Sequence, residues 1–266
     1  MRGRQAVAEL RLVDAHCHLH EEAFDADREA VIERARRAGV VAMLTSSLNL
    51  AEAEKALELA RAHEGVVFAC LGFDPTLEDE RELAAVMEFV RQHADEEAVV
   101  AVGEVGLDYY WVREQAAREA QVERFRVWIR LAEELGLPLV VHSRSAGKYV
   151  IQVLLQEGYD RVLMHAFDGG VGWALKGAQE GGFYFSIPTS VVRSRQKQKL
   201  AKRLPLEHLL VETDAPVLAP VRGERNEPAN LPVAVEAVAE LKGLSVEEVA
   251  EATYENAKEL FGLRLP

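Results

Sequence analysis

The feature that most constrains this chain is the regular alternation of short apolar runs with longer amphipathic stretches along its length. The short runs are rich in β-branched residues and predict strands, whereas the longer stretches carry apolar residues three and four positions apart and predict helices. Strands that alternate with helices form parallel sheets, because each helix returns the chain to the end where the next strand begins. The predicted strands span residues 10–15, 40–46, 66–72, 99–105, 139–142, 161–165, 183–187 and 209–213.

The predicted helices and their end signals agree with this pattern. Helices are expected at residues 27–38, 51–63, 78–94, 115–135 and 150–157, and two further helices end near Phe261. Glycines follow helix ends at Gly39, Gly136, Gly158 and Gly182, as a left-handed C-cap requires. Eight strands with intervening helices predict an α/β fold, a (β/α)8 TIM barrel, as one domain over residues 1–266. A doubly wound open sheet is the alternative.

Composition excludes several classes of protein. The chain has 49% hydrophobic and 28% charged residues, and none of its apolar runs reaches the ~18 residues that a membrane helix needs. Residues 1–9 are too short for a secretory signal, so we expect a cytoplasmic protein without membrane association. Two cysteines are too few for a disulfide framework. The net charge of −13 argues against non-specific coating of nucleic acid, but not against an enzyme that binds a nucleic-acid end.

Two histidines lie at the end of the first predicted strand. His16 and His18 are two positions apart, so in a strand they point to one side while Cys17 points to the other. Two imidazoles on one side can hold a metal ion, although a His-x-His pair also arises by chance. Asp14 shares this side one layer deeper and is expected to orient a histidine.

Four more predicted strand ends carry an ionisable residue: Glu104, His142, His165 and Asp214. Burying such groups costs several kcal/mol unless they are paired or bound to an ion. The C-terminal ends of parallel strands meet at the mouth of a barrel, where these side chains would converge. Metal ligation at this mouth is therefore favoured over a set of independent core histidines and capping acids.

Six segments together resemble a known family. The sequence is similar to the TatD-type metal-dependent deoxyribonucleases of the amidohydrolase superfamily, from about Leu12 to Leu263. The segments are DAHCHL at 14–19, GEVGLDYY at 103–110, PLVVHSR at 138–144, HAF at 165–167, ETDAP at 212–216 and RGERNEP at 222–228.

The resemblance implies a TIM barrel with two divalent metal ions, and zinc, manganese and magnesium all remain open as their identity. One ion would be held by His16, His18 and Asp214, the other by His142 and His165, with Glu104 bridging them. The catalytic residues would be Glu104 and Asp214, with Asp214 taking up the proton of the water that attacks phosphorus in line.

Several polar and aromatic residues are candidates for binding DNA. Arg144, Arg222 and Arg225 are expected to bind phosphate, because guanidinium groups match phosphate oxygens, and Asn226 is expected to orient them. Residues 109–111 (YYW) follow the bridging glutamate and either stack on bases or wall the pocket. The basic stretch 193–203 either tracks DNA near the mouth or is a solvated helix face, with Arg195, Lys199, Lys202 and Arg203 on one side if it is helical.

The sequence departs from the family pattern at Asp168, where the family commonly has serine. This acid would either repel a phosphate or contact a water at the metals, or it would simply face the surface.

The main hypothesis is an enzyme that removes nucleotides from a DNA end, with DNA as substrate and no obligate protein partner. The alternative is a dinuclear-metal hydrolase of a small ester, lactone or amide, since a metal pair also polarises carbonyl groups. A wide, arginine-rich mouth would favour DNA and a closed apolar pocket a small molecule. A non-catalytic barrel is disfavoured because all six inferred ligands are present.

Overall fold

Eight parallel strands form the centre of the molecule. The computed structural model describes residues 10–265, so the opening segment used above to predict location lies outside the described residues. The strands are β1 (Leu12–Cys17), β2 (Val40–Ser46), β3 (Val67–Leu71), β4 (Val99–Gly106), β5 (Leu139–His142), β6 (Val162–Met164), β7 (Tyr184–Pro188) and β8 (Leu209–Glu212).

Helices follow the strands and cover the outside of the sheet. They are α1 (Arg28–Arg37), α2 (Leu50–Ala62), α3 (Glu80–His93), α4 (Gln115–Leu135), α5 (Gly147–Glu157), α6 (Val171–Gly181), α7 (Arg195–Arg203), α8 (Leu231–Lys242) and α9 (Val246–Phe261). None of the helices in residues 10–265 combines the length and apolar character needed to cross a bilayer.

The strands lie in sequential order from β1 to β8, and every neighbouring pair is parallel. The two edges approach each other at the mouth, where the Asp214 N–H donates to the His16 carbonyl (2.9 Å) and the His18 N–H donates to the Ala215 carbonyl (2.7 Å). A doubly wound sheet would show a reversal of strand order, which is absent between β1 and β8. The predicted (β/α)8 barrel is therefore confirmed.

Most predicted elements are found, with shifted ends. The predictions for β2, β5 and α4 match to the residue, whereas β1 begins and ends two residues later than predicted. Its pairing explains the shift, because Leu12 is opposite Val40 and Cys17 is opposite Thr45. Gly182 marked the end of α6, but the bounds of this helix were not predicted, because its three glycines lower helix propensity by about 1 kcal/mol each relative to alanine.

The core has two layers. Alternate strand residues pack outward against the helices, and the others fill the barrel interior together with Tyr254, Leu260 and Phe261 of α9. Helix α9 thus closes the end of the barrel where the strands begin. The opposite end, where the strands finish, is left for polar side chains.

Candidate metal centre

The six predicted ligands converge at the C-terminal ends of the strands. His16 belongs to β1, Glu104 to β4 and His142 to β5, and the remaining three lie one or two residues after a strand: His18, His165 and Asp214. A register shift in β1 between Asp14 and Cys17 turns both histidines toward the mouth and leaves Cys17 in the outer layer. The sequence reasoning correctly separated the two histidines from Cys17.

Glu104 lies between two pairs of histidines. Its Oε2 atom is 3.2 Å from His16 Nε2 and 3.5 Å from His18 Nε2. Its Oε1 atom is 2.6 Å from His142 Nδ1 and 3.1 Å from His165 Nε2. Each carboxylate oxygen therefore serves one pair, which is the arrangement that a carboxylate bridging two ions would need.

Asp214 completes the side of the centre occupied by His16 and His18. Its Oδ1 atom is 3.5 Å from the Nε2 atom of each of these histidines. The Asp214 backbone has a φ of 55°, which is uncommon for a residue other than glycine, and Ala166, next to His165, has a φ of 36°. Such conformations cost about 1–3 kcal/mol and concentrate at functional sites.

Two glycines let β4 approach its neighbour closely enough to place Glu104. A Cβ atom on Gly103 would lie 2.6 Å from Val140 Cβ and 2.8 Å from the Val140 carbonyl oxygen. A Cβ on Gly106, whose φ is 140°, would lie 2.2 Å from the His142 carbonyl oxygen. Only glycine fits at either position without moving β5, so these residues hold Glu104 and His142 at short range.

The outer nitrogens of three histidines have partners of their own. His16 Nδ1 lies 3.1 Å from Ser46 Oγ, and His18 Nδ1 lies 2.8 Å from the Ser46 carbonyl oxygen. His142 Nε2 lies 3.0 Å from Asp108 Oδ2. A carbonyl can only accept, so His18 carries its proton on Nδ1 when neutral and turns the Nε2 lone pair toward Glu104 and Asp214.

His165 differs from the other three histidines of the centre. Its buried Nδ1 atom has no hydrogen-bond partner, and the nearest carboxylate oxygen, Glu212 Oε2, is 3.8 Å away. Glu212 instead accepts a hydrogen bond from Ser186.

Asp14 does not orient a histidine as expected. Its carboxylate accepts hydrogen bonds from the backbone N–H (2.8 Å) and hydroxyl (2.5 Å) of Thr213. The shift in β1 breaks the alternation on which the expectation depended. Burial raises the pKa of Asp14 to about 8.

The crowding of charged groups shifts their pKa values in opposite directions. Burial alone would raise the pKa of Glu104, but the charge of His165 and hydrogen bonds from the imidazoles hold it well below its usual value. Burial and the charge of His165 lower the pKa of His16. Burial would also lower the pKa of His18, yet the hydrogen bond to Asp214 and the charge of Glu104 raise it to about 9.

This chemistry fits divalent cations. The Nε2 atoms of His16 and His18 are 3.2 Å apart, too close for both rings to be protonated, and they face the same carboxylate oxygen. Imidazole nitrogens with carboxylate oxygens are a common donor set for zinc and manganese. Ligand atoms within 4.8 Å of one another form three overlapping groups: His16, His18 and Glu104; His16, His165 and Asp214; and Glu104, His142 and His165.

A cavity of about 650 Å³ opens over this centre. Among the described residues, Arg144 is the arginine and Lys197 the lysine that line this cavity. Asp168 also lines it. Asp168 Oδ2 accepts a hydrogen bond from the Ser145 N–H (2.7 Å). Asp168 therefore contributes to the cavity wall and does not simply face the surface.

A second cavity of similar volume lies at the opposite end of the barrel, beside the end of α9. Its arginines are paired with its own glutamates: Arg61 with Glu96 (2.7 Å) and Arg264 with Glu97 (3.1 Å). Volume alone therefore does not identify the functional site, whereas the converging histidines do.

The other residues predicted to bind or orient a phosphate, Arg222, Arg225 and Asn226, are not among the residues that line this cavity. Both terminal nitrogens of Arg225 donate to Asp27 at 2.8 Å, and Arg222 is exposed. The buried Asn226 side chain donates to Thr189 Oγ1 and to two backbone carbonyls, so it braces the loop after β8. Phosphate binding by Arg222 and Arg225, and their orientation by Asn226, stay predictions.

Sequence reasoning missed three residues with a place in the site. Asp108 lies within the 103–110 segment, and Lys197 lies in the basic stretch but not on its predicted face. Ser46 is the last residue of β2, a strand that was correctly predicted. Ser46 could have been found in the sequence, because it is a polar residue at the end of a predicted strand, as the proposed ligands are.

Comparisons with known proteins agree with this geometry. A family model described as TatD related DNase matches residues 13–262. The human deoxyribonuclease TATDN3 is 43% identical to this chain over 262 residues, covering 94% of each protein. The 3'-5' ssDNA/RNA exonuclease TatD of Erwinia amylovora is 36% identical and covers 95% of this chain and 100% of its own. An uncharacterized metal-dependent hydrolase of Bacillus subtilis, YabD, is also 36% identical, with coverage of 94% and 98%.

A solved structure shows the same architecture. YJJV, a TatD homologue from Escherichia coli, superposes with a TM-score of 0.86 at 28% identity, over 95% of this chain and 98% of its own.

Proposed function

This chain belongs to the TatD-related DNase family, and from this premise we propose that it is a divalent-metal-dependent hydrolase that cleaves DNA phosphodiester bonds from an end of the strand. The observation that carries the proposal is the position of Glu104, with one carboxylate oxygen on each of two histidine pairs. The names of the relatives favour DNA over a small ester or amide as substrate, and that of the Erwinia relative supports attack from an end. The cytoplasmic location stays a prediction.

We propose that two ions bind, one at His16, His18 and Asp214 and the other at His142 and His165, with Glu104 between them. When bound, divalent ions would supply positive charge to the phosphoryl oxygens and lower the pKa of the attacking water. We expect Asp214 to take up the proton of that water, because its Oδ1 and Glu104 Oε2 both lie within 3.5 Å of the Nε2 atoms of His16 and His18. We expect Arg144 to bind a neighbouring phosphate, since its guanidinium group matches phosphate oxygens and it lines the same cavity.

The test is hydrolysis of single-stranded DNA labelled separately at each end, by chelator-stripped protein resupplied with magnesium, manganese or zinc. Metal-dependent shortening from one end is expected, and the product ladder reports the polarity. Bound metal per chain is measured in parallel, with two ions expected.

Two variants separate binding from chemistry. Glu104→Ala is expected to lose both metal and activity, whereas Asp214→Asn is expected to lose more activity than metal. Retention of activity by both variants would contradict the proposal. Tight metal binding without cleavage of any DNA would point instead to the small-molecule alternative.

A further inference from the structure

The loop between β4 and α4 presents aromatic side chains to solvent. Trp111 is 65% exposed and Tyr110 is 43% exposed, which makes Trp111 the most exposed large hydrophobic side chain in residues 10–265. Burial in the core explains neither position. Exposed aromatic side chains that cluster at a cavity are a common mark of a binding surface.

Hydrogen bonds hold this loop in place. Asp108 Oδ1 accepts from the backbone N–H of Tyr110 (2.9 Å) and of Trp111 (2.8 Å). The Tyr109 N–H donates to the Arg144 carbonyl (2.9 Å), and Arg118 donates to the Tyr109 carbonyl (3.0 Å). The rings are therefore displayed by an anchored backbone, so little ordering would be needed when a ligand binds.

A cation accompanies the rings. The guanidinium carbon of Arg144 lies 4.0 Å from the centre of the Tyr110 ring and 5.7 Å from that of Trp111. The two rings meet edge to face, with centres 4.9 Å apart. We call Tyr110, Trp111 and Arg144 the aromatic platform. Flat aromatic faces beside a guanidinium are the chemistry that stacks nucleobases in single-strand binding proteins.

The aromatic platform is tied to the metal centre through one side chain. Asp108 holds the loop with Oδ1, and its Oδ2 lies 3.0 Å from His142 Nε2. Trp111 and Arg144 line the same cavity as Glu104 and Asp214. A base on the platform would therefore be held at a defined position relative to the reacting phosphate.

We propose that the aromatic platform stacks an unpaired base near the end of a nucleic-acid strand and thereby makes the enzyme select single-stranded ends. This inference rests on the proposed nuclease function and adds the residues that recognise the substrate. In a blunt duplex the terminal bases stay paired and stacked on their inner neighbours, so the end would have to fray before one strand could bring a base to the platform and its phosphate to the metal centre.

The experiment measures binding to a short labelled strand whose terminal linkages are phosphorothioates, which slow cleavage. The as-purified protein and its Trp111→Ala and Trp111→Phe variants are compared on an intact strand, on strands lacking the base at either end, and on a blunt duplex. Leu244→Ala is the control, because Leu244 is an exposed apolar side chain between α8 and α9 that does not line this cavity.

We expect Trp111→Ala to weaken binding of the intact strand about tenfold, equivalent to about 1.4 kcal/mol. Binding of the strand that lacks the stacked base should change little, and Trp111→Phe should retain most of the affinity. Unchanged binding by Trp111→Ala, or equal losses on intact and abasic strands, would overturn the aromatic platform. DNA cleavage by the wild type in either case would leave the nuclease proposal intact, whereas a wild type that neither binds nor cleaves DNA would overturn both.

Discussion

At the scale of single residues, Asp108 illustrates how one buried carboxylate holds both a histidine of the metal centre and a neighbouring loop. It contacts a proposed metal ligand, His142, and it anchors the loop that carries Tyr110 and Trp111. Burial alone would raise the pKa of Asp108, but hydrogen bonds from His142 and from that loop hold it below its usual value. Asp108 is therefore charged, and its charge stabilises the orientation of the His142 ring.

Asp108→Asn should weaken metal binding, because the amide keeps the shape of the side chain but loses the charge facing His142. We expect roughly 10–100-fold lower affinity for metal, measured by competition with a chelator of known affinity. Asp160→Asn is the control, since Asp160 lies at the end of the barrel where β6 begins. Equal affinities in Asp108→Asn and the wild type would show that Asp108 serves only the loop.

Asp27 provides a prediction about pH. Hydrogen bonds from Arg225, and then from Arg34, lower the pKa of Asp27 to about 2. A carboxyl whose pKa is lower in the folded state stabilises the fold above its unfolded pKa of about 3.9, and this stabilisation is lost as the pH falls toward 2.

The melting temperature of Asp27→Asn should accordingly be lower than that of the wild type at pH 6, with the difference shrinking between about pH 4 and pH 2. Thermal unfolding across this range is the measurement. Because the pair is exposed, the difference should be small. A difference that does not depend on pH would show that charge is not its cause.

At the scale of elements, α7 is the basic helix of the predicted stretch. Leu200 and Ala201 pack inward, and the four residues predicted to share a face are exposed: Arg195, Lys199, Lys202 and Arg203. Lys197 instead donates to the carbonyls of Ala166 (2.6 Å) and Phe167 (2.8 Å) at the cavity. The first turn of α7 therefore contacts the loop after β6, while its four exposed basic side chains face solvent.

Charge reversal on α7 tests whether its exposed face contacts DNA. The double variant Lys199→Glu/Lys202→Glu should weaken DNA binding and reduce the steepness of its salt dependence, because fewer counterions would be released. Fluorescence anisotropy over a range of salt concentrations is the measurement. Arg37→Glu/Lys55→Glu makes the same change in net charge on α1 and α2 and should leave the slope unchanged. Identical slopes in both double variants would identify the α7 face as merely solvated.

At the scale of the whole molecule, the two ends of the barrel have different roles. The six proposed ligands lie where the strands finish, and apolar side chains of α9 close the end where they begin. Chemistry and packing are thus separated along the barrel axis, as is usual in this fold. Removing apolar atoms from the end where the strands begin should therefore lower the free energy of unfolding without disturbing the metal centre.

Leu260→Ala tests this separation, because Leu260 is 3% exposed and packs inside the barrel. Its loss should lower the free energy of unfolding by about 2–5 kcal/mol, measured by denaturant titration. Metal affinity and DNA cleavage at a temperature where the variant is folded should match the wild type. A large loss of metal affinity in the folded variant would show that the two ends are coupled.

The sequence alone was sufficient to predict the barrel and the six proposed ligands that meet at its mouth. Hydrophobic periodicity is a local property, so β2, β5 and α4 were predicted to the residue. An ionisable residue at the end of an apolar strand is conspicuous for the same reason, which is how Glu104, His142, His165 and Asp214 were found.

Tertiary structure decided which atoms meet. The shift in β1 redirected Asp14 to Thr213, and the close packing at Gly103 and Gly106 placed Glu104 between the histidine pairs. Contacts between loops and helices turned Lys197 into the cavity and paired Arg225 with Asp27. These outcomes depend on distances between residues far apart in the chain, and no local pattern of side chains encodes them. The sequence by itself therefore determined the elements and the ligand types, whereas packing between strands and loops decided their partners.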